Sequence, residues 1–268
     1  MSLVVVGLAV LVGPLFSVSV SPMAVYMSDR ERTGTMTLYN PGSRPEEIEI
    51  DFAFGYPQTD ADGNLLVPLS EEPAPAGEPS AVPWLSAFPR RLVLEPGQRQ
   101  VVRVLARPPA GLADGEYWAR ALVRSRGGQE PIEARQGDVD IQIDVETLIV
   151  VAVNYRNGEM STGVRVTGAD AELVGDTTVT RISLERTGNA AFLGRLLIEA
   201  LDERGDVITS SEQVLAVYRT LSPRLVLPTP ADGRRPVELR YTLDTERNDL
   251  PPGGALPMER VVYEAPVR

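Results

Sequence analysis

The sequence predicts an all-β protein of two sandwich domains, and three observations carry that prediction. Pro and Gly, 23 of each in 268 residues, punctuate short runs rich in Val, Ile, Leu and Thr, the spacing of strands joined by tight turns. Within the runs apolar and polar residues alternate, as in Val102-Arg103-Val104, so one face of each strand is dry and the other wet. No window carries the 3.6-residue periodicity of an amphipathic helix. The length suits two domains of ~100–150 residues.

In chain order, Leu3 to Phe16 is almost wholly apolar. It matches a secretory h-region and is too short for a comfortable membrane span of ~20 residues. Ser17-Val18-Ser19 supplies a small-x-small cleavage pattern, so residues 1–19 read as a signal segment and the chain as exported to a Gram-negative periplasm. No Arg or Lys precedes the apolar run, and a buried first strand is the competing reading of Leu3–Val6 and Leu8–Val12.

Seven strand candidates follow: Met23–Met27, Thr33–Tyr39, Glu46–Phe54, Arg90–Leu94, Gln100–Ala106, Glu116–Arg124 and Asp140–Tyr155. Seven strands make one immunoglobulin-like sandwich, here assigned to 20–156. Gly55 to Pro83 interrupts them and is expected to be a surface excursion, mobile at its centre. Asn157-Gly158-Glu159 marks the boundary. Seven more candidates, Gly163–Thr167, Thr177–Arg186, Leu193–Asp202, Ile208–Tyr218, Arg224–Leu227, Pro236–Leu243 and Arg260–Tyr263, make residues 157–268 a second sandwich.

The composition narrows the chemistry. A net charge of −11 leaves no basic excess to neutralise nucleic-acid phosphates. All 26 cationic side chains are Arg, so any anion clamp uses guanidinium. Without Cys or His there is no thiolate site, no disulfide and no Ser-His-Asp arrangement. Asp60-Ala61-Asp62-Gly63-Asn64 begins like a calcium loop but lacks the distal Glu, and reads as a hairpin turn. The expectation is a protein that is not an enzyme, with no cofactor, metal or small-molecule substrate.

Three segments, in order, resemble the periplasmic chaperones that assemble pili. They are Thr35-Met36-Thr37-Leu38-Tyr39-Asn40-Pro41-Gly42, then Pro89-Arg90-Arg91-Leu92-Val93-Leu94-Glu95-Pro96-Gly97 continuing to Val104, then Leu112-Ala113-Asp114-Gly115-Glu116-Tyr117-Trp118. The resemblance implies a PapD-like first domain whose seventh strand is lent to an incomplete subunit by strand addition. In Asp140–Tyr155 the residues Ile141, Ile143, Val145, Ile149, Val151 and Val153 share one face, interrupted by Thr147. The same alternation also describes a terminal strand whose odd positions fill its own core.

The family's two basic anchors for a subunit's C-terminal carboxylate fall here at about Met23 and Ala152, neither of which can bind one. Arg30, Arg32 and Arg103 are the nearest replacements. The resemblance also implies an ion pair between Glu116 and Arg156 that joins the domains. The resulting expectation is a chaperone or assembly factor with a pilus or surface-protein subunit as partner and an outer-membrane usher as a second. The alternative is a structural or adhesive envelope protein with no client.

Overall fold

The structure, a computed structural model, describes residues 18–70, 73–127, 146–228, 230 and 233–268, and the backbone course of 132–136 and 139–143. Among the described residues it is all-β, with one short 3-10 turn at Val82–Trp84.

The first sandwich contains β1 (Ser19–Ser21), β2 (Ala24–Ser28), β3 (Thr33–Tyr39), β4 (Glu46–Ala53), the short pair β5 (Gln58–Thr59) and β6 (Leu65–Leu66), β7 (Leu85–Phe88), β8 (Arg91–Leu94), β9 (Arg99–Ala106), β10 (Gly115–Arg126), β11 (Ile132–Gln136), β12 (Val139–Ile143) and β13 (Glu146–Asn157). One sheet has the order β1-β3-β9-β7 and the other β2-β13-β10-β4-β8. Two-residue periodicity decides what each strand buries. On β9, Val102, Val104 and Ala106 are buried while Arg99, Val101 and Arg103 are exposed. Their inward partners include Leu38, Ile50, Val123, Val151 and Val153, each contributing about 1.5–3 kcal/mol by leaving water.

The second sandwich contains β14 (Thr162–Val174), β15 (Thr177–Gly188), β16 (Phe192–Leu201), β17 (Val207–Val217), β18 (Thr220–Leu221), β19 (Arg224–Pro228), β20 (Glu238–Asp244) and β21 (Val261–Pro266). Its sheets run β14-β15-β18, with β19 also on β15, and β17-β16-β20-β21. Ile182, Phe192, Leu196, Leu239 and Tyr241 lie at the centre of its core.

The run read as one strand over 140–155 is described on either side of residues 144–145, where β12 pairs with β11 and β13 with β10. Two features differ from expectation. β14 reaches Val174 instead of Thr167: a bulge between Val166 and Gly168 absorbs the irregularity and pairing with β15 resumes. The excursion after β4 is a flap anchored to the second sandwich, where Arg224 N–H donates to Gly63 O (3.0 Å) and Ser222 N–H to Thr59 Oγ1 (2.9 Å).

An aromatic cluster joins the sandwiches. Trp118 of β10 meets Tyr218 edge-on at 4.8 Å and Tyr56 at 5.5 Å, and Phe54, Ala191 and Leu193 close around them. Each such ring pair contributes about 0.5–1.5 kcal/mol beyond its buried area.

Candidate functional site

β10 and β13 form an antiparallel ladder whose outer face looks toward the second sandwich. Its successive rungs pair Glu116 with Arg156, Trp118 with Asn154, Arg120 with Ala152, Leu122 with Val150, Arg124 with Leu148 and Arg126 with Glu146. Side chains two residues apart share a face, so these rungs form one continuous surface.

At the inner pole the Glu116 carboxylate and the Arg156 guanidinium are matched. The Glu116 carboxylate, 1% exposed, accepts from Arg156 Nε at 2.8 Å, from Trp118 Nε1 at 3.0 Å and from the Ala191 N–H of the second sandwich at 3.2 Å. Arg156 Nη2 donates to Gly254 O at 2.6 Å, and its guanidinium covers the Tyr26 ring. Burial pushes the Tyr26 hydroxyl up to about 12 from 10.0, with Tyr218 and Glu116 adding to the shift.

Two rungs further out the matching stops. A cleft of about 460 Å³ opens between the sandwiches, walled by Met23, Val150 and Ala152 on one side and by Leu193, Tyr218 and Leu250 on the other. Arg120 lies in it, 4% exposed, and its Nη1 has no hydrogen-bond partner. Among the described residues it makes no ion pair, and its one charged-group contact is the Tyr218 ring, 5.0 Å away. Stacking on a ring gives about 0.5–2 kcal/mol, whereas an uncompensated buried ion costs several. Asn154, fully buried on the neighbouring rung, also lines the cleft, and its Nδ2 has no hydrogen-bond partner. Arg247, also on the wall, is already committed to Asp249 and to Gly194 O. The cleft therefore presents two unmet donors, one of them cationic, in apolar surroundings. That donor set suits a carboxylate, which accepts at both oxygens.

The cleft meets an open strand edge. β10 covers one side of β13 from end to end, but on the other side β2 pairs in parallel only with Ala152 to Arg156. Among the described residues, no named strand pairs with Leu148 to Val151 on that side, and such an edge is a template for another strand.

The residues singled out in the sequence fall as follows. Val151 and Val153 are fully buried in their own core, and Ile149 packs against it. At these three positions the side chains of β13 point between the two sheets of their own sandwich. The available side chains are the even ones, Leu148, which is 45% exposed, and Val150. Ile141, Ile143 and Val145 lie outside the residues whose side chains are described. Arg30 and Arg32 are exposed between β2 and β3, and Arg103 is exposed on the opposite sheet. None of the three lines the cleft; the arginines that do are Arg247 and Arg120. Its signal in the sequence was a lone Arg inside Tyr117-Trp118-Ala119-Arg120-Ala121-Leu122, a run otherwise apolar on both faces.

No protein-family model and no curated protein matches the chain. Among solved structures, it is similar to the Salmonella enterica SafA pilin–SafB chaperone complex, at 14% identity over 94% of this chain and 97% of that one, with a TM-score of 0.47. It is likewise similar to the E. coli chaperone DraB, at 13% identity over 94% and 97%, TM-score 0.47. A third likeness is to the Pseudomonas aeruginosa CupB2 chaperone, at 12% identity over 92% and 98%, TM-score 0.41.

Proposed function

We propose that the chain is a non-catalytic chaperone or assembly factor, a divergent member of the pilus-chaperone superfamily it resembles. It holds a pilus-type or surface-protein subunit by adding a strand along the open edge of β13 and seats the subunit's C-terminal carboxylate at Arg120. The observation that carries this reading is the buried, unpaired guanidinium of Arg120 in a cleft at the inner end of that edge. A carboxylate arriving there satisfies the charge and Asn154 together. It also sets the guest's direction: with its C-terminus at the cleft, the guest runs parallel to β13, as β2 does.

The periplasm is the compartment this role requires, and an outer-membrane usher is the partner that would receive the subunit. No helix among the described residues is long and apolar enough to cross a membrane. The client-free alternative draws on the burial of Val151 and Val153, which leaves β13 complete as a core strand.

Affinity purification from envelope extracts separates the two readings, with the native chain run beside Arg120→Met and Leu148→Asp variants. Circular dichroism verifies their folding. The chaperone reading expects one subunit to be retained by the native chain and lost from both variants. Equal retention by all three would overturn it, and an empty native eluate would favour the client-free protein.

A further inference from the structure

The flap that leaves the first sandwich after β4 has two sides that differ in chemistry. Its base is closed by reciprocal backbone hydrogen bonds between Phe54 and Ser70, both 2.9 Å. Its polar tip docks on the second sandwich: besides the Gly63 and Thr59 bonds, Arg181 Nη1 donates to Ala61 O at 3.0 Å. Gly63 has φ +85°, and a Cβ there would lie 2.7 Å from the Arg224 backbone nitrogen, so the docked tip requires glycine. Further along, Glu78 pairs with Arg219 at 2.8 Å. The flap is thus held across the domain junction.

Its other side is apolar where nothing in the fold demands it. Leu65 to Leu69 reads Leu-Leu-Val-Pro-Leu; Val67 and Leu69 are 42% and 37% exposed, and both line the cleft with Pro57. A side chain reaching this wall finds no uncommitted polar group, because Arg120 and Asn154 are taken by the carboxylate and Arg247 by Asp249.

We infer that the flap is the selectivity wall of the cleft: Val67 and Leu69, with Met23, choose ligand chains whose last residue is apolar. The inference rests on the carboxylate reading of Arg120 and adds to it the identity of the terminal side chain. A polar terminal side chain would be desolvated without a partner, and an apolar contact of this size discriminates about tenfold or more.

The test uses the full chain and short labelled peptides of alternating Val and Thr that end in Leu with a free acid, Ser with a free acid, or Leu with an amide. Fluorescence anisotropy reads their affinities. The native chain should bind the Leu acid at least about tenfold tighter than the Ser acid, and tighter again than the amide. In a Val67→Ser, Leu69→Ser variant the Leu/Ser difference should shrink to about twofold while the acid/amide difference stays. Gly63→Val, which undocks the tip without touching the wall residues, should weaken the same preference. Equal binding of Leu and Ser acids by the native chain would overturn the flap inference and leave the Arg120 reading standing, as would a preference that survives all three substitutions. Equal binding of acid and amide, or no binding of any peptide, would remove the Arg120 reading and the flap inference with it.

Discussion

Arg156 and Arg120 lie on the same face of the same ladder, two rungs apart, and their surroundings differ in one respect. Arg156 is held by a buried carboxylate, a backbone carbonyl of the second sandwich and a tyrosine ring. Arg120 has only a ring. Both are costly to bury, but the first belongs to the folded state and the second keeps its binding capacity unspent. On the proposed reading, one residue type in one sheet serves at one rung as a joint between domains and two rungs away as a receptor for something outside them.

The largest test of that contrast is Glu116→Ala. It strands Arg156 Nε, Trp118 Nε1 and the Ala191 N–H at once, and breaking a buried ion pair by removing one partner costs about 3–5 kcal/mol. Urea unfolding should show that loss; a change below about 1 kcal/mol, the range of a surface pair, would mean the inner pole is not a joint. Arg120→Met should go the other way. Replacing a buried ion with an apolar side chain of similar length is neutral to stabilising by about 1–4 kcal/mol, so the same unfolding experiment should show no loss of stability even as the carboxylate site disappears. A marked destabilisation would make Arg120 a second structural arginine and dissolve the comparison.

The smallest effect concerns Tyr26, whose ring packs beneath Arg156 and whose edge lines the cleft. Its folded pKa is about 12 against an ordinary 10.0. Between those values the folded chain keeps a proton that the unfolded chain releases, so stability falls as pH rises through that window and is unaffected below it. Tyr26→Phe should make the decline above pH 10 shallower without abolishing it, because burial also raises Tyr155 and Tyr241. An unchanged alkaline slope would place the Tyr26 hydroxyl in water.

Much of the fold was legible because period-two alternation and turn residues act locally. Thr33–Tyr39 coincides with β3, and Gln100–Ala106 falls one residue short of β9. The hairpin reading of Asp60–Asn64 agrees with Asp60 Oδ1 accepting from the Asp62 and Asn64 N–H groups. What stayed hidden is non-local. Which face of β13 is dry depends on the sheet packed against it, and the alternation of Ile149, Val151 and Val153 is the same whether that sheet is its own or a guest's. The flap looked loose because its Gly and Asp residues are turn formers, while its anchors, Ser222 and Arg224, lie about 160 residues downstream. Arg120 stayed hidden because an Arg at an outward strand position ordinarily faces water, and only the second sandwich, brought over that face by Trp118 and Tyr218, takes the water away.

The shortness of β2 has one more consequence. Its pairing begins only at Ala152, so Leu148 to Val151 of β13 carry no β2 partner, a length of ~13 Å at ~3.3 Å per residue in parallel pairing. On the proposed reading β2 would be a doorstop: a guest sliding along the edge would halt against Met23, in one register, whatever its sequence. A guest strand with too many residues beyond its last apolar side chain would jam before its end reached the cleft, and one with too few would stop short. Such a protein would measure its guests from the end inward.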